Sequence, residues 1–469
     1  MTKVVSFFRH RRSDIDMTEG SIFGNLLRFA FPLLIGNLFQ QLYNLVDTWV
    51  IGQTDEAGAY AAVGSVGPII NILIGFFLGL SSGAGVIISQ YYGAKNEQKV
   101  RDTVHTALFM TLVLGVIFTV IGVAMTPWIL RLMLGGDEAA SVTLPYARTY
   151  LTIYFAGVMG LMIYNMGSGI LRAIGDSEHP FYFLCVSALT NIVLDLLFVF
   201  QFDMGVAGVA YATVISQALS ALLTVIVLLR TKTCVRVELR YLRPNREMLG
   251  KIFRVGIPAA VQMALTAFAN VFVQSYIAGT NAVQEHCLGG WTSYSKIDAL
   301  IFLPMQSLAL ATTTFVGQNL GKGNVERAKK GTRTAFLMSL SASAVLIAII
   351  VIFAPWFAAL INDEPEIVRY ATMFLHAITP CMLVCSVNQI FSGALRGAGN
   401  TRAPMIIMLS TFVAFRQVYL FVVSNFISND PLPVGMGYPA GWIACAIVTI
   451  IYYSYYSRSK FEKSRLVEG

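Results

Sequence analysis

The stretch "GSGILRAIGDSEHP", residues 167–180, returns later in the chain as "IFSGALRGAGNTRAP", residues 390–404. Gly169, Leu171, Arg172, Gly175 and Pro180 pair in order with Gly393, Leu395, Arg396, Gly399 and Pro404. Working outward at an offset of about 226 residues, Pro32 and Asn44 meet Pro258 and Asn270. Gln90, Gly93 and Asn96 meet Gln318, Gly321 and Asn324, and Pro127–Trp128 meets Pro355–Trp356. Ordered matches at a nearly constant offset mean that one structural unit has been used twice.

The flanks of these matches are long and apolar. Of 469 residues, 56% are hydrophobic and 12% charged, with mean hydropathy +0.66, whereas soluble domains carry roughly 25% charged residues. So few charges do not cover the surface of water-soluble globules, so lipid is the solvent for most of the chain. Each crossing takes about 20 apolar residues. Apolar windows place twelve helices near 26–51, 60–89, 104–126, 147–171, 181–201, 206–229, 254–278, 288–315, 334–360, 370–395, 403–427 and 438–457. These runs far exceed the roughly 10-residue strands of an outer-membrane barrel. The expected fold is an all-α polytopic membrane protein. Because each repeat holds an even number of spans, its twelve helices form two parallel, pseudo-symmetric six-helix lobes. The predicted divisions are a tail 1–20, a first lobe 21–229, a basic loop 230–251, a second lobe 252–457 and a tail 458–469.

Charge placement orients these spans. Of 33 Lys and Arg residues, 28 fall on the side bearing both tails and the inter-lobe loop, among them Lys3, Arg9, Arg11 and Arg12. Only Arg131, Arg148 and Arg369 fall at the other end, with Asp55, Glu56, Asp137, Glu138, Asp363, Glu364, Glu366 and Asp430. By the positive-inside rule both termini are cytoplasmic, and a bacterial cytoplasmic membrane is the expected location. The net charge of +8 is then a product of topology and contact with anionic lipid, and nucleic acid is excluded as a partner. The N-terminus lacks the apolar core and cleavage site of a signal peptide. Six scattered cysteines, five of them inside apolar runs, show no metal-ligand spacing and no disulfide framework.

Polar residues at membrane depth are functional candidates, because an ionised side chain there costs several kcal/mol. Gln40, Tyr43, Asn44 and Asp47 recur at helical spacing on one side of the first span, after Pro32 and Gly36, where a missing hydrogen bond predicts a hinge. Asn191 and Asp195 share a face of the fifth span at i, i+4, and Thr213 in the sixth adds a hydroxyl. These hard oxygen donors suit Na⁺ or a proton. The second lobe has no acid in its seventh or tenth spans as predicted. Its eighth holds Lys296 and Asp298, two apart and so roughly 200° around the helix. Either faces the space between the lobes, or Lys296 meets a facing carboxylate. His376 suits a hydrogen-bonded packing role or a proton relay. Arg416 calls for backbone carbonyls or an acid as partners. A few aromatics with one or two acids in a cleft would suit bulky amphipathic cations.

No G-x-x-x-x-G-K-[S/T], H-E-x-x-H or G-x-S-x-G motif occurs, so neither ATP hydrolysis nor enzymatic chemistry is expected, and no cofactor beyond a coupling ion. The segments "FPLLIGNLFQQLYNLVDTWVIGQ", "GSGILRAIGD", "GALRGAGNTRAPM" and "TTFVGQNLGKGN" resemble those of the multidrug and toxic compound extrusion (MATE) family, over about Thr18 to Lys460. That resemblance implies secondary active export of organic, often cationic compounds in exchange for Na⁺ or H⁺, through alternating access of a monomer in the lipid bilayer. It carries the family's first-lobe cation site onto Asp47, Asn191, Asp195 and Thr213, and matches Tyr43 and Pro32. Carboxylates placed in the seventh and tenth helices by NorM-like members are missing, which resembles the DinF-like branch. The alternative is a flippase for lipids or lipid-linked saccharides, as in distant relatives.

Overall fold

The computed structural model describes residues 15–53, 59–134, 138–459 and 461. Lys3, Arg9, Arg11, Arg12, Asp55, Glu56 and Asp137 lie outside these residues, as does most of the predicted C-terminal tail. Twelve helices among the described residues are long and apolar enough to cross a membrane: α1 Ile22–Gly52, α2 Ala62–Gly93, α3 Glu97–Arg131, α4 Val142–Ala173, α5 Glu178–Gln201, α6 Gly205–Arg230, α7 Arg246–Ala278, α8 Glu285–Gly321, α9 Val325–Ile352, α10 Pro365–Gly397, α11 Arg402–Ile427 and α12 Pro431–Ser459. Side-chain caps set the starts of α1, α7 and α9: Ser21 accepts from the Gly24 amide, Asn245 from Glu247 and Met248, and Asn324 from Arg327. Their outer faces expose large apolar residues such as Val120, Trp128, Val193, Ile349 and Ile447, a surface that lipid covers.

Proline explains where the helices depart from the predicted spans. The span expected at 334–360 is two helices: α9 ends at Ile352, and a separate short helix runs Ala354–Ile361. Pro355 has no N–H for the carbonyl of Val351, and His376 Nε2 donates to that oxygen instead, at 3.0 Å. In α10, Pro380 stands in the 3₁₀ turn Thr379–Met382, which interrupts the α-helical hydrogen bonding. By contrast α1 runs unbroken through Pro32, so the hinge expected there is not an interruption of the helix.

Each lobe lends one helix to the other. In α1 the first turns, with Leu26, Phe29, Ala30 and Leu33, pack against Leu308, Ala311 and Phe315 of α8 and Ile390 of α10. Beyond Pro32 the same helix turns to its own lobe, where Gly36 meets Phe181 and Leu184 of α5, and Val50 and Ile51 join the first-lobe core. The repeat does likewise: Ile252 and Val255 of α7 belong to a first-lobe core, Val273 and Ile277 to the second-lobe core. Pro32 therefore stands where α1 passes between lobes.

One crossing is much closer than its repeat. Gly75, Gly79 and Gly83 form a stripe on α2, and a Cβ on Gly83 would lie 2.3 Å from the Gly256 Cα, one on Gly79 2.4 Å from the Ala260 Cα. Such backbone approach is how small residues hold helices together where lipid supplies no hydrophobic drive. In the register that pairs Gly93 with Gly321, the corresponding residues of α8 are Leu303, Ser307 and Ala311. The loop 230–251 packs on the first lobe, with Val235 buried in its core and the Glu238 amide donating to His105 Nε2 at 3.0 Å.

Candidate functional site

The polar side of α1 divides in two. Tyr43 lies beside Gln40, Asp47 and Tyr154, toward the first-lobe interior. Gln41, Asn44 and Thr48 line the space between the lobes. Asn44 thus parts from Gln40, Tyr43 and Asp47, with which it was expected to share a face, and stands on the cleft wall beside Gln41, which the sequence reading passed over. A helix with two polar stripes about 100° apart reads as a single face when only spacings are counted.

Inside the first lobe Asp47 stands beside Asn191 and Asp195 of α5. Asp195 is 0% exposed and Asn191 1%. Tyr150 of α4 neighbours Asp47, Asp195 and Thr213 of α6. No hydrogen bond of normal geometry satisfies the group: both Asp195 oxygens, Oδ1 of Asp47, both amide atoms of Asn191 and the Tyr154 hydroxyl are buried without partners. Thr213 Oγ1 donates to the Val209 carbonyl at 3.0 Å, leaving its oxygen able to accept. Buried polar groups are almost always paired, so orphans concentrated at one point mark a site built for something else. Its donors are hard oxygens, which fit Na⁺ or a proton. Among the described residues there is no cluster of three or more His, Cys, Asp or Glu side chains of the kind a transition metal takes.

Between the lobes lies a cavity of about 590 Å³, joined through Gln41, Ser295 and Ala299 to an outer space of about 370 Å³. Four basic residues line the two, Arg172, Arg396 and Arg416 in the inner and Lys296 in the outer, against one acid, Asp298. Asp47 and Asp195 are not on its walls. Of the acids expected at membrane depth, Asp47 and Asp195 point into the first lobe and Asp298 lines the cleft, whose charged residues are mostly basic. Arg416 is 1% exposed. It donates to Asn270 Oδ1 at 3.1 Å and lies 4.9 Å from the Tyr438 ring centre and 5.7 Å from that of Phe412. An amide and two rings thus replace the carbonyl or acid expected for it, and its Nε is buried without a partner. The Tyr294 hydroxyl donates to Asp298 Oδ1 at 3.0 Å. Lys296 and Asp298 both face the cleft, at different depths, because the cleft wraps around α8. His376 does not: it is exposed on the outer face, bonded to Val351.

At the end bearing the termini the cleft is shut by the duplicated motifs. Gln90 Nε2 donates to the Gly397 carbonyl at 2.9 Å, and Gln318 Nε2 to that of Ala173 at 2.8 Å. A Cβ on Gly93 would lie 2.0 Å from the Gln318 carbonyl oxygen, and one on Gly321 1.9 Å from that of Gln90. The segment before α1 closes the seam. The Ile15 amide donates to the Gly175 carbonyl in the first lobe at 3.3 Å. Met17, 0% exposed, bonds through its backbone to Gln318 and Asn319 of the second at 3.1 and 3.0 Å. At the far end Asn44, Leu45, Thr292 and Ser295 are exposed, and the cleft opens there.

Twelve helices in two repeated lobes around a sealed-and-open cleft define a membrane transporter. The MatE family model matches residues 32–197 and 258–421, and the chain belongs to that family. It is 30% identical over 458 residues, 96% of this chain and 97% of the other, to the "Probable multidrug resistance protein YoeA" of Bacillus subtilis. A structure described as the outward-facing conformation of a multidrug resistance MATE family transporter matches with TM-score 0.87 at 27% identity, over 95% of this chain and 98% of that one. A transporter from Pyrococcus furiosus, described by the reverse polarity of its binding pocket, matches with TM-score 0.86 at 25% identity, over 96% and 98%.

Proposed function

We propose that the protein is a monomeric antiporter of a bacterial cytoplasmic membrane that exports organic compounds in exchange for Na⁺ or H⁺, without ATP. The observation that carries this reading is the orphaned set Asp47, Asn191 and Asp195, with Thr213, buried inside the first lobe and apart from the cleft. The basic end lies in the cytoplasm by the positive-inside rule, so a cleft sealed there and open at the other end faces outward. An ion entering from outside neutralises the acids. Because Asp47 sits on the helix that crosses between lobes at Pro32, that neutralisation bears on α1 and through it on the cleft. Ion and cargo must prefer different conformations, or no exchange follows. The lobes 21–229 and 252–457 then rock so that the sealed end opens and the outer end closes. Acids in α7 and α10 stand only in their first turns, Glu247 and Glu366, which favours the DinF-like branch with coupling in the first lobe.

The test is dye efflux from proteoliposomes under separately imposed Na⁺ and H⁺ gradients. One gradient accelerates efflux if the reading holds. A flux indifferent to both makes the protein a passive pore.

A further inference from the structure

We infer that the cargo site in the cleft accepts an amphipathic organic anion, an apolar body bearing one carboxylate, sulfonate or phosphate group, with Arg416 as its anchor. The inference deepens the export reading by naming a cargo class and rests on it only for the direction of transport. Three independent features converge. The first is the sign of the cleft, four basic side chains against one acid. Among the described residues no carboxylate lies within ion-pair distance of any of the four. Asp298, on the same wall, takes the Tyr294 hydroxyl instead.

The second is Arg416 itself. A guanidinium that is 1% exposed and lacks an acid is costly unless something compensates its charge. Asn270 takes one nitrogen and the rings of Tyr438 and Phe412 take part of the charge, but Nε remains buried without an acceptor while the residue lines the cavity. The planar fork of arginine suits an oxyanion with two acceptor oxygens. The third is the frame. Phe302, Phe412, Tyr438 and Trp442 line the same cavity, which suits an apolar or aromatic body lying beside the charged end. Lys296, partly exposed in the outer space and without an ion pair, draws an anion inward past Asn44. A bulky cation would meet like charge at each depth, with Asp298 its one counter-charge.

The decisive measurement uses two dyes that share a ring system, anionic fluorescein and cationic rhodamine 123, titrated by fluorescence anisotropy into the purified full-length protein. Fluorescein binds more tightly, and Arg416→Gln weakens it by about tenfold or more while Arg416→Lys keeps part of the affinity. Lys296→Gln, at a partly exposed position that does not threaten folding, weakens fluorescein less and leaves or improves rhodamine 123. Preference for rhodamine 123, equal affinity for both, binding of neither, or fluorescein binding that neither variant weakens overturns the inference. Gradient-driven efflux of whichever dye binds is scored separately. A cation-selective protein driven by an ion gradient sinks this inference and spares the export reading, whereas an anion-selective protein indifferent to both gradients does the reverse.

Discussion

The two lobes descend from one pattern yet carry opposite charge at matching depth. In the register that pairs Asn44 with Asn270, Asp47 of the first lobe faces Val273 of the second, and in the register that pairs Arg172 with Arg396, Asp195 faces Tyr419, one turn beyond Arg416. Where the first lobe holds two acids with three of their oxygens buried and unpartnered, the second buries an arginine on an asparagine and two rings. Duplication kept the crossing helices, the prolines paired with Pro32, Pro127 and Pro180, and the sealing glutamines, and left the polar interior free to diverge. On the proposed function, one half takes up and releases a cation while the other holds a fixed positive charge.

The sharpest way to break that comparison is to neutralise each half. Asp195→Asn should bring gradient-driven efflux down to the passive rate with cargo binding kept, whereas Asn270→Ala should weaken binding and leave the ion dependence in place. Ion dependence lost in both would mean that the halves are not specialised. The seal comes next. Met17→Ala deletes a side chain buried at the sealed end, a loss of about 2 kcal/mol, which would move a two-state balance by roughly thirtyfold if the open arrangement lacks that contact. Faster hydrogen exchange over residues 88–93 and 316–321 would register it; unchanged protection would show that the segment is passive packing.

A smaller difference separates the two helix crossings. Gly83→Ala forces the α2 and α7 backbones apart and should cost about 1–3 kcal/mol as overpacking. Ala311→Gly, at the matching place on α8, should cost about 1 kcal/mol in helix propensity. Melting temperatures in detergent that rank the two the other way would refute the reading that the α2–α7 crossing is the tighter of the two.

The smallest effect belongs to the inter-lobe loop. Desolvation pushes the Glu238 carboxyl up, but Arg240 and Arg101 outweigh it and hold the group below the ordinary range. Its lowered folded value means a contribution present above the unfolded value of about 4.3 and lost as pH falls through the folded one. Glu238→Gln should therefore lower the melting temperature slightly at pH 7 and not at all near pH 3. An equal drop at both would assign the residue a role other than charge.

Hydropathy and the repeat made the twelve spans legible in sequence, because a lipid-facing helix has to be apolar along its whole length. The break at Phe353 was legible too, had Pro355 been given its usual weight. What spacing did not carry was direction. Asp47, Asn191 and Asp195 were visible as polar groups at membrane depth, but whether they faced the cleft or a lobe depended on how α1 and α5 rotate against their neighbours. Arg172 and Arg396 stood in the repeated motif and read as loop-end charges. Only the closed seam showed that they floor the cleft. His376 looked titratable from its type alone, and its partner lies 25 residues earlier, on a carbonyl that a proline left free.

The segment Ile15–Glu19 ties the two lobes together, while Tyr456 and Phe461 near the other end of the chain pack in a cluster drawn from the second lobe alone. A fluorophore placed on Glu19, within this segment, would sit at the seam itself and change its surroundings at each turn of the proposed cycle. The same fluorophore on Ser459, exposed at the end of α12, would ride with one lobe and report little more than that the protein is in the membrane. The choice of which end to label is thus an experimental variable in this protein, one end giving a conformational sensor and the other its control.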